Sequence, residues 1–251
     1  MPRIFFRLAS PFILLLSWEL VSRLGLANPL ILPPPSKALG DLWLLASAGE
    51  LWRALFATLY RVVCGFSLAA IFGIALGALM ARVRVADDFL DPLIELLRPI
   101  SPLAIFPLAM LWFGIGDLSK IFVIALAASF PVILNTYAGV RGIDANYFRA
   151  SQSLGASRRE IFTGVVLPGS LPQIFTGIRL AWGISLIVVI AAEMVGATVG
   201  IGYMLIEAQQ TFRTERVFAG IIVIGLVGFL TDLGFRCLRR SLLPWYGDTA
   251  R

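Results

Sequence analysis

The sequence predicts an all-α, polytopic membrane protein with six spanning helices. Three observations carry that prediction. Hydrophobic residues make up 59% of the chain and charged residues only 14%, where a soluble domain carries about 25% charged. Residues 62–81, 99–116 and 121–140 contain no charged side chain, and each approaches the ~20 residues that cross a hydrocarbon core as helix. The basic residues fall between apolar runs instead of gathering in one patch, the distribution of orientation signals at a membrane face.

The elements follow in chain order. Residues 8–26 form the first expected span, within an N-terminal segment 1–26. A cleaved leader is the competing reading, since Arg3 and Arg7 precede the apolar run, but no small-x-small site follows and Glu19 and Arg23 interrupt the tail. An outer connection, 27–53, leads into a transmembrane core, 54–240. In the second span, 62–81, Gly65, Ala69, Gly73 and Gly77 recur every four residues, leaving one helical face nearly bare for close packing. Spans over 99–116 and 121–140 follow.

Residues 161–178 are also uncharged, yet Leu167, Pro168, Gly169, Ser170, Leu171 and Pro172 are expected to break a helix there. The fifth span, 173–195, then starts from Ser170 and carries Glu193; the sixth, 217–235, carries Asp232. A tail, 241–251, completes the chain.

Lysine and arginine set the orientation. Arg3, Arg7, Arg82, Arg84, Arg141, Arg149, Arg158, Arg159, Arg236, Arg239, Arg240 and Arg251 fall on one side, against Lys37, Arg53, Arg213 and Arg216 on the other. The richer side is cytoplasmic, so both termini and the loop 141–170 are expected there.

Much chemistry is excluded. The net charge of +6 comes with no basic patch or motif, so nucleic acid is not an expected partner. Cys64 and Cys237 read as buried hydrophobes. The absence of histidine removes Ser-His and Cys-His catalysis and most zinc sites. No phosphate-binding loop surrounds Lys37 or Lys120, the two lysines of the chain, so any ATP hydrolysis belongs to another protein. Asp87 and Asp88 lie among Arg82, Arg84 and Asp91, a solvated charge cluster at headgroup depth. No catalytic residue, metal ligand or cofactor of its own is expected.

Ionisable groups within spans are costly and need a reason. Arg61 and Arg98 are expected to snorkel from helix ends, and Asp232 to pair with Arg236 one turn on. Arg179 and Glu193 remain as candidates to line a path for a polar solute, with Glu193→Ala expected to impair transport but not assembly.

The loop 147–168 reads YFRASQSLGASRREIFTGVVLP. Arg149 to Ser153 suit a short helix, Gly155 a sharp reversal, and Ser157 the cap of a second helix bearing Arg158, Arg159 and Glu160. Two short helices joined at a glycine suit docking into a groove on a soluble partner.

In this loop the chain resembles the permease subunits of binding-protein-dependent ABC importers, whose motif runs Glu-Ala-Ala, three residues, Gly, nine residues, Ile-x-Leu-Pro. Ala150, Gly155, Val165, Leu167 and Pro168 fall at matching positions, while Arg149 stands at the glutamate and Ser151 at the last alanine. Further strings look like the nitrate, sulfonate, taurine and bicarbonate branch: Leu32-Pro33-Pro34-Pro35-Ser36, Leu97-Arg98-Pro99-Ile100-Ser101-Pro102, Leu111-Trp112-Phe113-Gly114-Ile115-Gly116 and Gly200-Ile201-Gly202-Tyr203.

The resemblance implies the type I importer (MetI-like) architecture in the bacterial inner membrane. It also implies two ATPase subunits that bind ATP and Mg, a second copy of the permease, and a periplasmic or lipid-anchored substrate-binding protein. By it, Arg149, Ala150, Ser151, Gly155, Ala156, Leu167 and Pro168 are the expected ATPase interface. The rival expectation is an ion-coupled secondary transporter or channel working alone through Glu193 and Asp232; it calls for internal repeats, which the two halves do not show.

Overall fold

A computed structural model describes the backbone of residues 2–26, 28 and 30–245, and side chains from residue 13 onward within that range. The side chains of Arg3 and Arg7, and the tail from residue 246 through Arg251, lie outside the described residues. Within them the chain is all helix: α1 (Pro2–Arg23), α2 (Pro35–Ser47), α3 (Glu50–Arg82), α4 (Arg84–Leu97), α5 (Pro102–Phe113), α6 (Asp117–Arg141), α7 (Ala145–Ser153), α8 (Arg158–Ile161), a π-helical turn (Phe162–Val166), α9 (Leu167–Gly196), α10 (Ile201–Gln210) and α11 (Thr214–Leu242).

Among the described residues, α3, α6, the run Arg158–Gly196 and α11 are long and apolar enough to span a membrane, and α4 with α5 makes a fifth candidate bent by 99°. The first expected span coincides with α1, but part of its side chains lies outside the description.

Two sequence expectations about continuity are corrected. Residues 99–116 do not form one helix; α5 holds 12 residues, about 18 Å of helix and too short to cross alone. Pro99 and Pro102 explain the break, since each lacks an amide and disfavours helix before it. Ser101 is extended (φ −62°, ψ 125°) and Pro102 opens α5, where its missing N–H costs nothing.

Conversely, the expected break at 167–172 is absent. The helix continues because the π-helical turn, Phe162–Val166, shifts the bonding register just before Pro168, absorbing a missing donor. The Ser170 hydroxyl also donates to the Leu167 carbonyl at 3.2 Å.

The chain divides into two compact units. The larger, Tyr60–Ala192 with Gly228–Arg251, is organised by glycine seams on both sides of α6. A Cβ at Gly65 would lie 2.7 Å from the Ile124 side chain, at Gly73 2.7 Å from Val132, and at Gly77 2.8 Å from Thr136 Cβ. Across the other seam, a Cβ at Gly177 would meet Asn135 at 2.7 Å, and one at Gly139 would meet Gln173 at 2.8 Å. Lipid is as apolar as leucine, so close van der Waals contact is what holds such helices together. Val62, Phe106, Val123, Ile124, Val188 and Val189 fill the core beside these seams.

The smaller unit, Met1–Leu59 with Glu193–Val227, ties α1 to α2. The Glu19 carboxylate accepts from the Ser36 N–H at 3.1 Å and from its hydroxyl at 2.8 Å, satisfying an orphan donor in the first turn of α2. Trp18 meets Phe218 at a tilt with centroids 5.0 Å apart, and Gly220 admits Leu205 against α11.

Candidate functional site

The loop is built by local caps. The Asp144 carboxylate accepts from the Asn146 N–H at 2.8 Å and starts α7. Leu154 and Gly155 close it, donating to the carbonyls of Ala150 and Gln152. Gly155 then adopts φ +77°, a left-handed conformation that side chains rarely accept, and Ala156 N–H reaches back to the Ser151 carbonyl at 3.0 Å.

Ser157 and Glu160 form a reciprocal capping box on α8. The Ser157 N–H and hydroxyl both donate to the Glu160 carboxylate at 2.7 Å. Those bonds, the backbone one foremost, hold the Glu160 carboxyl below its ordinary range.

The turn is thus a rigid projection with an apolar tip. Leu154 is 88% exposed, Tyr147 is exposed one face back, and Arg149, Ala150, Arg158 and Arg159 are exposed around it. Phe148, Ala156 and Val165 pack from beneath on Val140, Ile161 and Val166. Arg149, Ala150, Ser151, Gly155 and Ala156 therefore sit together in one helix–turn–helix. Leu167 and Pro168 lie at the start of α9, where Pro168, Asp144, Tyr147, Val165 and Pro172 line an open cavity of about 720 Å³.

The polar groups of the spans are paired within the structure. Arg61 does not snorkel: it is 6% exposed, and its Nε donates to Asp117 Oδ1 at 2.7 Å. Arg179 Nε and Nη2 both reach Asp232 Oδ1, at 2.7 and 2.6 Å. Arg236 adds a second contact to Asp232 at 3.4 Å, the pairing expected from sequence. Arg179 thus offers a half-exposed, already neutralised charge.

Glu193 is fully buried and about four turns from Arg179 on α9. Both its oxygens accept from Thr58 Oγ1 at 2.9 Å, and Oε2 also accepts from the Gly202 N–H at 2.9 Å. Thr58 Oγ1 in turn accepts from the Ile201 N–H at 2.9 Å. The carboxylate therefore caps the N-terminus of α10, where orphan amides and the helix dipole favour negative charge. Gly200, at φ +144°, makes room, because a Cβ there would collide with the carboxylate. Within the chain Glu193 is therefore a buried cap, its carboxylate turned inward.

Sequence reasoning also missed Lys120. It is 1% exposed, and its Nζ donates to the carbonyls of Ile115 and Gly116 at 3.1 and 2.9 Å. The signal was available: a cation in a helix's first turn opposes the dipole and demands acceptors of its own. Thr58 carried no such signal.

Among the described residues no cluster of carboxylates and cysteines is arranged to hold a metal. Long apolar helices joined by close glycine seams, with a capped helical projection, define a polytopic membrane protein.

Comparison with known proteins narrows the class to a family. Residues 69–243 match the family described as "Binding-protein-dependent transport system inner membrane component", and the chain belongs to it. It is 43% identical to the taurine transport system permease protein TauC of Escherichia coli, over 94% of this chain and 88% of that protein. It is 36% identical to the bicarbonate transport system permease protein CmpB of Synechocystis sp., over 92% and 85%.

Among solved structures, the MetNI methionine ABC transporter in an inward-facing conformation matches with TM-score 0.65 at 18% identity, covering 78% of this chain and 97% of the other. An amino acid ABC transporter matches at 0.61 and 20%, covering 81% and 97%. The fold is that of the type I, MetI-type permeases, and the chain is a polytopic inner-membrane transport component.

Proposed function

We propose that this chain forms the transmembrane pathway of an ATP-binding cassette importer for a small anionic solute of the taurine, sulfonate, nitrate or bicarbonate type. It is driven by separate ATPase subunits through the α7–α8 projection. The observation that carries this reading is the projection itself, with Gly155 at φ +77° and Leu154 88% exposed at its tip. An apolar knob held rigid by local caps has no use in water and fits a groove on a soluble partner.

The complete assembly comprises two such permeases, two ATPases that hold ATP and Mg, and an external binding protein that delivers the solute. Both termini and the projection face the cytoplasm. Closure of the ATPase pair moves the two projections, and the rigid connection through α8, the π turn and α9 passes that movement to the spans.

The relatives named for taurine and bicarbonate support the anionic substrate class. Arg179 is the pathway cation, with Asp232 as the counter-ion that holds it until a solute anion competes. Glu193 contributes by fixing α10.

Reconstitution tests the proposal. Proteoliposomes with permease, ATPase and binding protein are expected to take up labelled taurine or bicarbonate only with internal ATP, and Gly155→Val to abolish uptake while the permease remains folded. Uptake by the permease alone, driven by an ion gradient, would show a secondary transporter instead.

A further inference from the structure

A second polar site lies beside the base of the projection, where Ala81 packs in the same cluster as Ile161 and Arg82 stands over the Phe162 ring. Met80, Ala81, Arg82, Arg84, Asp87, Asp88 and Arg141 line a cavity of about 420 Å³, within the size range of small-molecule sites. It is formed where α3 ends at Arg82, α6 ends at Arg141 and α4 begins at Arg84, so two spans terminate at its rim.

Its charges are only partly matched internally. Asp87 Oδ2 accepts from Arg141 at 2.8 Å and from the Tyr137 hydroxyl at 2.9 Å. Asp87 Oδ1 is buried without a hydrogen-bond partner, a state that calls for a donor. Among the described residues, Arg84 and Asp88 make no ion pair, and Arg82 is engaged only over the Phe162 ring at 5.2 Å. The N-terminus of α4 has no side-chain cap, leaving amides open beside the two arginines.

The helix leading away from this cavity is suited to an interface. Leu90 and Ile94 pack on Met80 and Ile133. Val85, Phe89, Leu93 and Leu96 form an exposed apolar stripe, while Asp88, Asp91 and Glu95 occupy the remaining exposed face. The acids favour headgroups and the stripe favours hydrocarbon, so the start of α4 sits at the boundary between the two.

We propose that the cavity binds the headgroup of phosphatidylethanolamine, with the phosphate on Arg82, Arg84 and the α4 amides and the ammonium on Asp88. The acyl chains run along the Val85–Phe89–Leu96 stripe. The occupant must carry both charges: arginines alone would suit any anion, but two carboxylate groups in the same cavity repel one and recruit an ammonium.

Native mass spectrometry of the delipidated full chain, with phosphatidylethanolamine, phosphatidylglycerol and phosphatidylcholine added back in equal amounts, tests this. Phosphatidylethanolamine is expected to be retained over phosphatidylcholine, whose trimethylated nitrogen has no N–H to donate. Arg82→Ala and Arg84→Ala should each lower retention by about fivefold. Asp88→Asn should erase the preference over phosphatidylcholine while leaving phosphatidylglycerol retention intact; Arg84 and Asp88 are exposed, so these variants are expected to stay monodisperse.

Equal retention of the three lipids, or of one lipid by every variant, would overturn the proposal. So would displacement of the lipid by an equal concentration of phosphoethanolamine or inorganic phosphate, the mark of a soluble-anion site. Phe89→Trp supplies a separate reading: quenching by bromine-labelled phosphatidylethanolamine is expected, and its absence in the assembled transporter would mean that a protein covers the stripe.

Discussion

The α7–α8 projection and the cap on α10 solve the same problem, that of satisfying helix ends, in opposite ways. In the projection each partner lies within a few residues: Asp144 with Asn146, Ser157 with Glu160. In the cap, Glu193 and Thr58 are 135 residues apart and buried. The first arrangement leaves its surface free to meet another protein; the second spends its polar groups inward. Solvent-exposed local caps make a part that can be handled, and a long-range buried cap makes a part that must not move.

The largest expected effect sharpens that contrast. Glu193→Ala strands Thr58 Oγ1 and the Gly202 amide in a buried site, a loss of about 3–5 kcal/mol, read as a large fall in detergent melting temperature. A normal melting temperature with lost uptake would return Glu193 to the pathway and erase the contrast.

Next in size is the glycine seam. Gly77→Leu drives a side chain into the Ile133 carbonyl and Thr136 and should destabilise by about 1–3 kcal/mol. Gly183→Ala, where nothing lies within 4 Å, should not. Equal tolerance at both would dissolve the seam.

These two regions also mark what the sequence makes legible. The four-residue glycine spacing and the Ser157 cap are local patterns, and each corresponds to an observed contact. The continuous helix through Pro168 and the broken one at Pro99 were misread, because proline's effect depends on whether a π turn absorbs its missing donor or a preceding residue turns extended. Thr58, Asp117 and Arg61 were invisible as a set, since tertiary packing alone brings each to its partner. Gly155 and Ser157 marked the helix–turn–helix in the sequence itself, whereas nothing local pointed to the Glu193 cap.

Smaller effects belong to the projection. Ser157→Ala should weaken α8 by about 1 kcal/mol, seen as faster amide exchange confined to 157–161, with the spans unchanged. Spreading of the exchange into α9 would show that the projection is not locally held.

Acidification should act on the same cap. The Glu160 carboxyl is depressed by its Ser157 bonds, so its contribution is complete above the unfolded value of 4.5 and is lost as pH falls through the lower folded value. A label near 157 should therefore report no change from pH 8 to 5 and loosening only below that unfolded value. Loosening at neutral pH would contradict the cap.

The most direct test of the account is the sidedness of the tip. Leu154→Cys, in vesicles of both orientations, is predicted to react with a membrane-impermeant maleimide only from the cytoplasmic face and to be shielded when the ATPase is co-expressed. Reaction from the external face, or no shielding in an assembled and active transporter, would contradict the claim that this projection is the handle by which the motor moves the spans.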